Sequence, residues 1–492
     1  MISVLRLLAL ATLLFPTVAC MVGPKYQRPS APVPPAFKEL PPPNTPQAST
    51  WKQAQPNDAA DRGKWWEVYN DPQLNALEDQ VNVSNQNVLA AEAQFRAARD
   101  SVRIARSSLF PTASASPSFS RAWSSSTLFN FHAGNLTGGG RSTYDLPVDV
   151  SYQADVWGSI RRIVLGSAES AQVSAAQLAN ARLSFQAALA QDYFELHGLD
   201  GEQALLETTL KSYTDYLQLT KDRFASGVAS GADVAQADAQ LKTTQAQLVD
   251  LGVARAQFEH AIAILVGKPP SQLAIAPTPI KALPPSVPAG VPSDLLERRP
   301  DIAAAERQMA VANEQIGIAK AAFFPTLMLT GSAGLESGSL SEWFTWPSRI
   351  WSVGPQVAET LFDAGRRRAQ SDFARASFDA SIASYRQTVL TGIQQVEDNL
   401  AALRVLEEEA RAEDEAVQAA QQSLDISTYQ YKAGVASYLQ VITAQAVALQ
   451  DQVAAVNILT RRMVASVLLI EALGGGWNAS TLPAAQDLMH GM

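Results

Sequence analysis

The chain repeats itself once, in the same order, and this duplication restricts its possible folds more than any other feature. Leu109-Phe110-Pro111-Thr112 returns as Phe323-Phe324-Pro325-Thr326. Trp157-Gly158-Ser159-Ile160-Arg161 has its counterpart in Phe362-Asp363-Ala364-Gly365-Arg366, Gly227-Val228-Ala229-Ser230 in Gly434-Val435-Ala436-Ser437, and Leu265-Val266-Gly267 in Ala472-Leu473-Gly474. Two copies are too few for a solenoid, so they point to one structural unit duplicated within a single molecule. Each half has the same plan: a helix ending at Phe-Pro-Thr, two alternating segments, a very long helix, a glycine turn and another helix.

The long helices carry coiled-coil spacing. Phe378, Ile382, Tyr385, Val389, Val396, Leu400 and Leu403 recur mostly three and four residues apart, which sets them on one seam. The run from Arg366 to Tyr431 makes a helix of about 100 Å at ~1.5 Å per residue, too long for a globular core, with Gly392 a candidate bend. Both helical parts are rich in Ala, Gln and Ser. Small residues let helices approach and polar ones tolerate water, as a wall around a wet lumen requires; a solvent-exposed coiled coil is the alternative. A first long helix, about Ser159 to Arg223, is followed by Asp233 to Val266 and Pro300 to Ala322, which together nearly match its length. Leu439 to Leu473 with Gln73 to Ser108 nearly match the second. The expectation is two composite rods, each stacking those two short helices end to end beside a long one. Pro300 with Asp301 behind it suits a helix start, and the proline-rich residues 268–293 are expected to cross the waist.

The strand segments alternate cleanly. Tyr144, Leu146, Val148, Val150, Tyr152, Ala154 and Val156 point one way; Asp145, Pro147, Asp149, Ser151, Gln153 and Asp155 point the other. Ser114, Ser116, Ser118 and Ser120 alternate with Ala113, Ala115, Pro117 and Phe119. In the second half Leu327, Leu329, Ala333 and Leu335 alternate with Met328, Thr330, Ser332 and Glu336, and Trp351, Val353, Val357 and Leu361 form the returning strand. One side suits lipid and the other water. Each segment has the roughly 9–11 residues of a tilted membrane strand. Trp123, Tyr144, Trp343, Trp346 and Trp351 lie near the tips, as girdle aromatics do. Four strands cannot close a barrel, and an open edge in lipid leaves backbone groups unsatisfied, so a membrane location requires an oligomer, dimer or trimer. A soluble β-sandwich is the other reading of the alternation.

The start reads as an export signal, with Arg6 followed by the apolar stretch Leu7 to Val18. Thr17-Val18-Ala19-Cys20 looks like a bacterial lipobox, with Thr17 where Leu is usual, and makes Cys20 the acylated first residue. Cys20 is the only cysteine, so no disulfide framework exists. Met21 is not the Asp that retains lipoproteins at the inner membrane. Residues 24–60 are crowded with proline and read as an extended tether. No later apolar run is expected to span a membrane as a helix. The net charge of −9 argues against a nucleic-acid partner. His132, His197, His260 and His490 fall in separate segments without metal-ligand spacing, and no nucleophile elbow, Cys–His pair or P-loop occurs. No catalytic residue, metal site or cofactor is assigned.

At Trp65-Trp66 with Asp71-Pro72-Gln73-Leu74, at Pro292-Ser293-Asp294-Leu295-Leu296 through Arg298-Arg299-Pro300-Asp301 to Phe324-Pro325, and at Ala472-Leu473-Gly474-Gly475-Gly476-Trp477, the chain resembles the TolC-like outer-membrane factors of tripartite efflux pumps, in their NodT-type lipoprotein branch. The resemblance covers nearly the whole mature chain. It implies a mainly α fold with a β-barrel membrane part: a homotrimer with a twelve-stranded outer-membrane barrel, four strands per chain, continued by a long α-helical periplasmic barrel. It implies two partners, a periplasmic adaptor and an inner-membrane pump of the resistance-nodulation-division type. The protein is then lipid-anchored in the outer membrane, not an enzyme, and passively conducts small toxic compounds, drugs or metals. A protein-secretion conduit uses the same architecture, and a non-channel anchored coiled coil is a further alternative.

On this reading the chain divides into a signal peptide (1–19), anchor and tether (20–60), first repeat (61–267), equatorial linker (268–293), second repeat (294–474) and tail (475–492). The resemblance maps the adaptor-docking tips to Gly227, Val228, Ala229 and Ser230 and to Gly434, Val435, Ala436 and Ser437. It maps the periplasmic gate to Asp233, Tyr431, Gln440 and Thr443. Asp233 and Tyr431 match bracing positions of the better-known relatives. Ala436 stands where those relatives carry Arg, and Gln440 and Thr443 where they carry a ring of aspartates. A hydrogen-bonded or apolar closure is therefore expected in place of a charged gate.

Overall fold

The computed structural model describes residues 21–40, 64–123, 140–287 and 289–490, so the signal segment, Cys20 and the proline run from 41 to 60 lie outside the described residues. The helices in chain order are α1 (Pro72–Ser84), α2 (Gln86–Ser107), α3 (Ser159–Ala225), α4 (Gly231–Leu265), the single turn α5 (Leu295–Arg298), α6 (Pro300–Ala321), α7 (Arg366–Lys432), α8 (Tyr438–Ala472) and α9 (Ala485–His490). The duplication holds in the lengths of the helices. α3 and α7 have 67 residues each, α4 and α8 have 35, and α2 and α6 have 22. Gly158 and Gly365 precede the two long helices in the same left-handed conformation.

The expected single helix from Gln73 to Ser108 is two helices, α1 and α2, divided at Asn85. The Asn85 Oδ1 accepts from the amides of Asn87 and Val88, 2.9 and 3.1 Å away, capping α2. Its Nδ2 donates to the carbonyl of Leu265, the last residue of α4, at 2.8 Å. One buried side chain therefore satisfies a helix start and a helix end together. In the second half Arg299 makes the matching bond to the helix end: it precedes α6 and donates from Nη1 to the carbonyl of Ala472, the last residue of α8, at 2.9 Å, while the Ile302 amide at the start of α6 donates to Asp301 Oδ1 at 2.8 Å. The composite rods are consequently α4 with α2, beside α3, and α8 with α6, beside α7. This corrects the expected stacking of α4 on α6 and α8 on α2. Because α2 and α6 are equally long, length alone does not distinguish the two arrangements.

The predicted seam is buried: Tyr385, Val389, Val396 and Leu400 pack with Ile302, Met309 and Leu469 in one core. α7 runs unbroken through Gly392, so that glycine is not a bend. It makes room instead for the Arg299 guanidinium, 3.2 Å from where a Cβ would stand. A second core gathers Trp65, Trp66, Leu74, Phe194, Leu196, Ile262 and Val467. The linker places Ile275 in the second of these cores and Ala289 in the first. It is pinned by buried Asp200, which accepts from Arg255 Nε at 2.8 Å and the Thr278 amide at 2.9 Å, with His197 Nδ1 2.8 Å away. α8 does contain a stretch long and apolar enough to cross a membrane, contrary to expectation. It packs along α7 and α3, burying Ile458, Met463, Val467 and Leu469, so part of its apolar surface serves the core.

Residues 21–40 are not a loose tether. The Val22 amide donates to the Trp157 carbonyl at 3.1 Å, Tyr26 Oη to Glu306 Oε1 at 2.6 Å, and the amides of Lys38 and Glu39 to the Glu397 carboxylate at 2.7 and 3.0 Å. Phe37 is buried among Ala289, Leu295 and Ile302. The proline-fixed extended backbone lies flat as a strap from the foot of the sheet to the waist.

Beside the second core, Glu78 is fully buried and neither carboxylate oxygen has a partner. Burial pushes its carboxyl well above the usual carboxylate range. The folded state therefore holds a proton that the unfolded state releases near its ordinary value. Stability is full below that value and falls by about 1.4 kcal/mol per pH unit as pH rises toward the folded one. Glu78→Gln is expected to flatten this decline in thermal midpoint between mildly acidic and mildly alkaline buffer; equal slopes in both proteins would contradict it.

The sheet joins β1 (Thr112–Ala115), β2 (Ser118–Ala122), β3 (Arg141–Ala154), β4 (Thr326–Ser337) and β5 (Arg349–Ala358). β1 and β2 both pair antiparallel with β3, β3 with β4, and β4 with β5. The first of the four expected strands is thus split at Ser116-Pro117, where proline cannot donate to the ladder. The halves meet through β3 and β4, so Val148, Ala333 and Trp351 align on one face with Val150, Gly331 and Val353. Asp149, Ser332 and Ser352 align on the other, with Ser151 and Thr330 beside them. Both edges of the sheet, β1–β2 and β5, are unpaired among the described residues.

Candidate functional site

Two regions are candidates for a functional role: the two-faced sheet and the helical tips at the opposite end. Near the outer end of the sheet Phe119, Tyr144, Trp343 and Phe344 form a continuous aromatic file, with ring centroids 4.8, 5.5 and 4.8 Å apart. At its foot Trp157 stacks on Phe324 at 4.7 Å, and its indole N–H donates to the Pro325 carbonyl. Aromatic side chains thus bracket the apolar face at both ends, as at the two interfaces of a bilayer.

At the first tip, α3 ends at Ala225 and Gly227 takes φ 75°, letting the Val228 amide donate back to the Arg223 carbonyl at 2.8 Å. Ser230 and Asp233 form a reciprocal capping box: the Asp233 amide donates to Ser230 Oγ at 3.2 Å and the Ser230 amide to Asp233 Oδ2 at 2.9 Å. At the second tip Gly434 has φ 76° and the Val435 amide donates to the Gln430 carbonyl at 3.0 Å. Ala229, Ala436 and Ser437 continue these turns as small residues. Val228 and Val435 stand 64% and 79% exposed, an apolar knob on each tip.

The four residues assigned to the gate do not form one cluster. Asp233 is engaged by its cap. Tyr431 is buried between the hairpins, 5.4 Å from the Tyr438 ring, with its hydroxyl 3.5 Å from Thr220 Oγ1. Gln440 and Thr443 are exposed and line a separate shallow groove between α7 and α8 with Ser423, Ser427 and Val447. The contact that ties the hairpins together involves a residue absent from the sequence assignment. The Arg223 guanidinium lies 4.7 Å over the Tyr431 ring and donates to the Lys432 carbonyl at 3.1 Å. Beside it Tyr216 and Thr428 hydroxyls are 3.0 Å apart, and the Tyr213 hydroxyl donates to the Gln445 carbonyl at 3.4 Å. The signal was present: Tyr213, Tyr216, Thr220 and Arg223 follow helical spacing and end in a cation at a helix C-terminus. Burial and the neighbouring tyrosines push the Tyr438 phenol up, so its hydroxyl stays protonated.

The family model described as Outer membrane efflux protein matches residues 77–268 and 291–475. The chain is 32% identical over 486 residues to the antibiotic efflux pump outer membrane protein ArpC of Pseudomonas putida, covering 98% of each. It is 30% identical over 433 residues to the pyoverdine export outer membrane protein OpmQ of Pseudomonas aeruginosa, covering 86% of this chain and 89% of that protein. The structure of the outer-membrane channel OprN superposes with a TM-score of 0.84 at 27% identity, covering 93% of this chain and 100% of the other. The two matched blocks contain the two halves of the duplication, their long helices and the strands between them, and the chain belongs to the outer membrane efflux protein family.

Proposed function

We propose that three copies of this chain close a twelve-stranded barrel in the outer membrane and continue it as a helical duct through the periplasm, the passive exit channel of a tripartite efflux system. The observation that carries this reading is a sheet with one apolar and one polar face, unpaired at both edges, set on helices of 67 residues. Its partners on this reading are a periplasmic adaptor, received at the small-residue tips around Val228 and Val435, and an inner-membrane resistance-nodulation-division pump, which supplies the energy. Relatives of similar identity are named for antibiotic efflux and for pyoverdine export. Cargo as different as these favours a permissive duct, with selection in the pump. Expressed with a cognate adaptor and pump in cells lacking their own outer-membrane efflux proteins, the chain should raise inhibitory concentrations of small toxic compounds several-fold. No change would contradict the assignment.

Lipidation at Cys20 fits the same arrangement. Val22 is bonded to Trp157 at the foot of the sheet, and Met21 lies against Gly158, so an acyl chain on the preceding residue reaches the inner leaflet. The closed tip is held by the Tyr431–Tyr438 ring contact and by Arg223. Arg223→Ala removes a cation–π contact and a charge-assisted hydrogen bond, about 1–2 kcal/mol together, which raises the open-to-closed ratio roughly 5–30-fold. Planar-bilayer recordings should show a larger open fraction than wild type; an unchanged fraction would remove Arg223 from the gate.

A further inference from the structure

The apolar face of the sheet ends in cations at its outer rim. Strand pairing sets Arg349 opposite Leu335, which in turn faces Leu146, so Arg349 shares its face with Trp351, Val353 and Val357. Arg121 stands opposite Ser142, two residues beyond the Phe119–Tyr144 pair on that same face. From Thr326 at the foot to Leu335, β4 rises about 23 Å at ~3.3 Å per residue and ~40° of tilt, close to the full height of a barrel's apolar band. Both arginines therefore stand where lipid tails give way to headgroups, the height at which a cation on the lipid face costs little. The long helices leave from the foot, after Ala154 and Ala358, so the rim lies in the leaflet away from the periplasm.

These cations lack countercharges. Both are exposed, and neither is paired with a carboxylate among the described residues. The β2–β3 connection, residues 124–139, contains no Asp or Glu. Glu342, the single carboxylate of the β4–β5 connection, makes no ion pair among the described residues. Arg349 is nevertheless held in place, its guanidinium 4.2 Å over the Trp346 ring. Stacking occupies the flat side of the guanidinium and leaves free its N–H edge, which matches two phosphate oxygens at once. A folded turn presents Trp346: Thr345 Oγ1 and Ser348 Oγ donate to the Glu342 carbonyl at 2.6 and 2.7 Å, and the Trp343 indole N–H donates to the Leu335 carbonyl at 3.2 Å.

We propose that this rim binds a phosphorylated glycolipid of the outer leaflet. Arg349 and Arg121 each contact a phosphate, and the acyl chains lie below them on Trp351 and Val353. The inference rests on the lipid-facing assignment of this sheet face. Charge complementarity selects the occupant, because a cation beside aromatic rings at headgroup height, with no carboxylate to satisfy it, is completed by a lipid phosphate.

Native mass spectra of the protein extracted from outer membranes in mild detergent test this directly. Wild-type trimers should carry bound glycolipid, and trimers of Arg349→Ala with Arg121→Ala about tenfold less, the same spectra showing that the variant still assembles. After delipidation, bisphosphorylated lipid A should bind wild type at least ~10-fold more tightly than it binds the double variant, and more tightly than lipid A stripped of its phosphates binds wild type. Arg349→Lys should recover only part of the affinity, since it keeps the charge without the fork of donors. Arg141→Ala, which removes a cation at the same end of β3 but on the polar face, should bind as wild type does. Equal binding by wild type and the double variant, or equal binding of intact and stripped lipid A, would overturn the site. Phosphatidylglycerol or inorganic phosphate competing as well as lipid A would overturn the choice of glycolipid. A wild-type protein recovered as a monomer from the soluble periplasm would overturn the barrel reading itself.

Discussion

Val150→Arg is expected to cost each chain about 2–4 kcal/mol of folding stability, the penalty of a cationic side chain near the bilayer midplane. Val150 sits mid-strand in β3, opposite Gly331 and Ala113, on the face that also carries Val148, Ala333, Trp351 and Val353. Nothing on that face can pair with a guanidinium, and the backbone leaves little slack for a strand to turn it toward water. Ser332→Arg, at a position aligned with Asp149 and Ser352 on the opposite face, should be nearly neutral, because there the side chain enters the aqueous lumen. The quantities to measure are the amount of each variant in separated outer membranes and the dissociation temperature of its oligomer. If Ser332→Arg proved the damaging change and Val150→Arg the silent one, the assignment of faces would be inverted.

Arg162→Ala should destabilise the periplasmic part by about 3–5 kcal/mol, because it leaves Glu314 buried without its countercharge. The ion-pair side chains are 2% and 5% exposed. Arg162 also donates from Nε to the Val22 carbonyl at 2.6 Å and from Nη2 to the Pro24 carbonyl at 3.2 Å, so one residue joins α3, α6 and the start of the strap. Its loss should free the strap so that trypsin cleaves at the already exposed Lys25, as well as lower the denaturation midpoint. Arg162→Lys keeps the charge but not the fork of donors, and should recover part of the stability while leaving the strap cleavable. A midpoint equal to wild type with no cleavage at Lys25 would show that the strap and the α3–α6 seam hold without this residue.

Much of this architecture was legible in the chain because it is written in periodicity. Alternation of two marked β3, β4 and β5 and their faces. The three-and-four spacing from Phe378 to Leu403 marked the buried seam of α7. The repeated Phe-Pro-Thr and Gly-Val-Ala-Ser blocks fixed the duplication. What escaped depends on single side chains reaching across the fold. Asn85 and Arg299 decide which short helices stack, and their partners Leu265 and Ala472 lie 180 and 173 residues away in sequence. For residues 21–40, proline content reports an extended backbone and says nothing of whether Tyr26, Arg28 and Phe37 find a surface, so it predicts a tether where the structure has a strap. The resemblance maps a gate whose arginine and ring of aspartates are replaced in this chain by Ala436, Gln440 and Thr443. Tyr431 is central to the tip, whereas Gln440 and Thr443 occupy another face, and Arg223 supplies the tie from the opposite hairpin.

The native mass of the protein, extracted in mild detergent from separated outer membranes, tests the central claim most directly. Three chains in that fraction is the result this account predicts, since three sheets of four strand positions close a barrel and leave no edge in lipid. A single chain, or a protein recovered only from the soluble periplasm, would leave both edges of the sheet open and would contradict the channel.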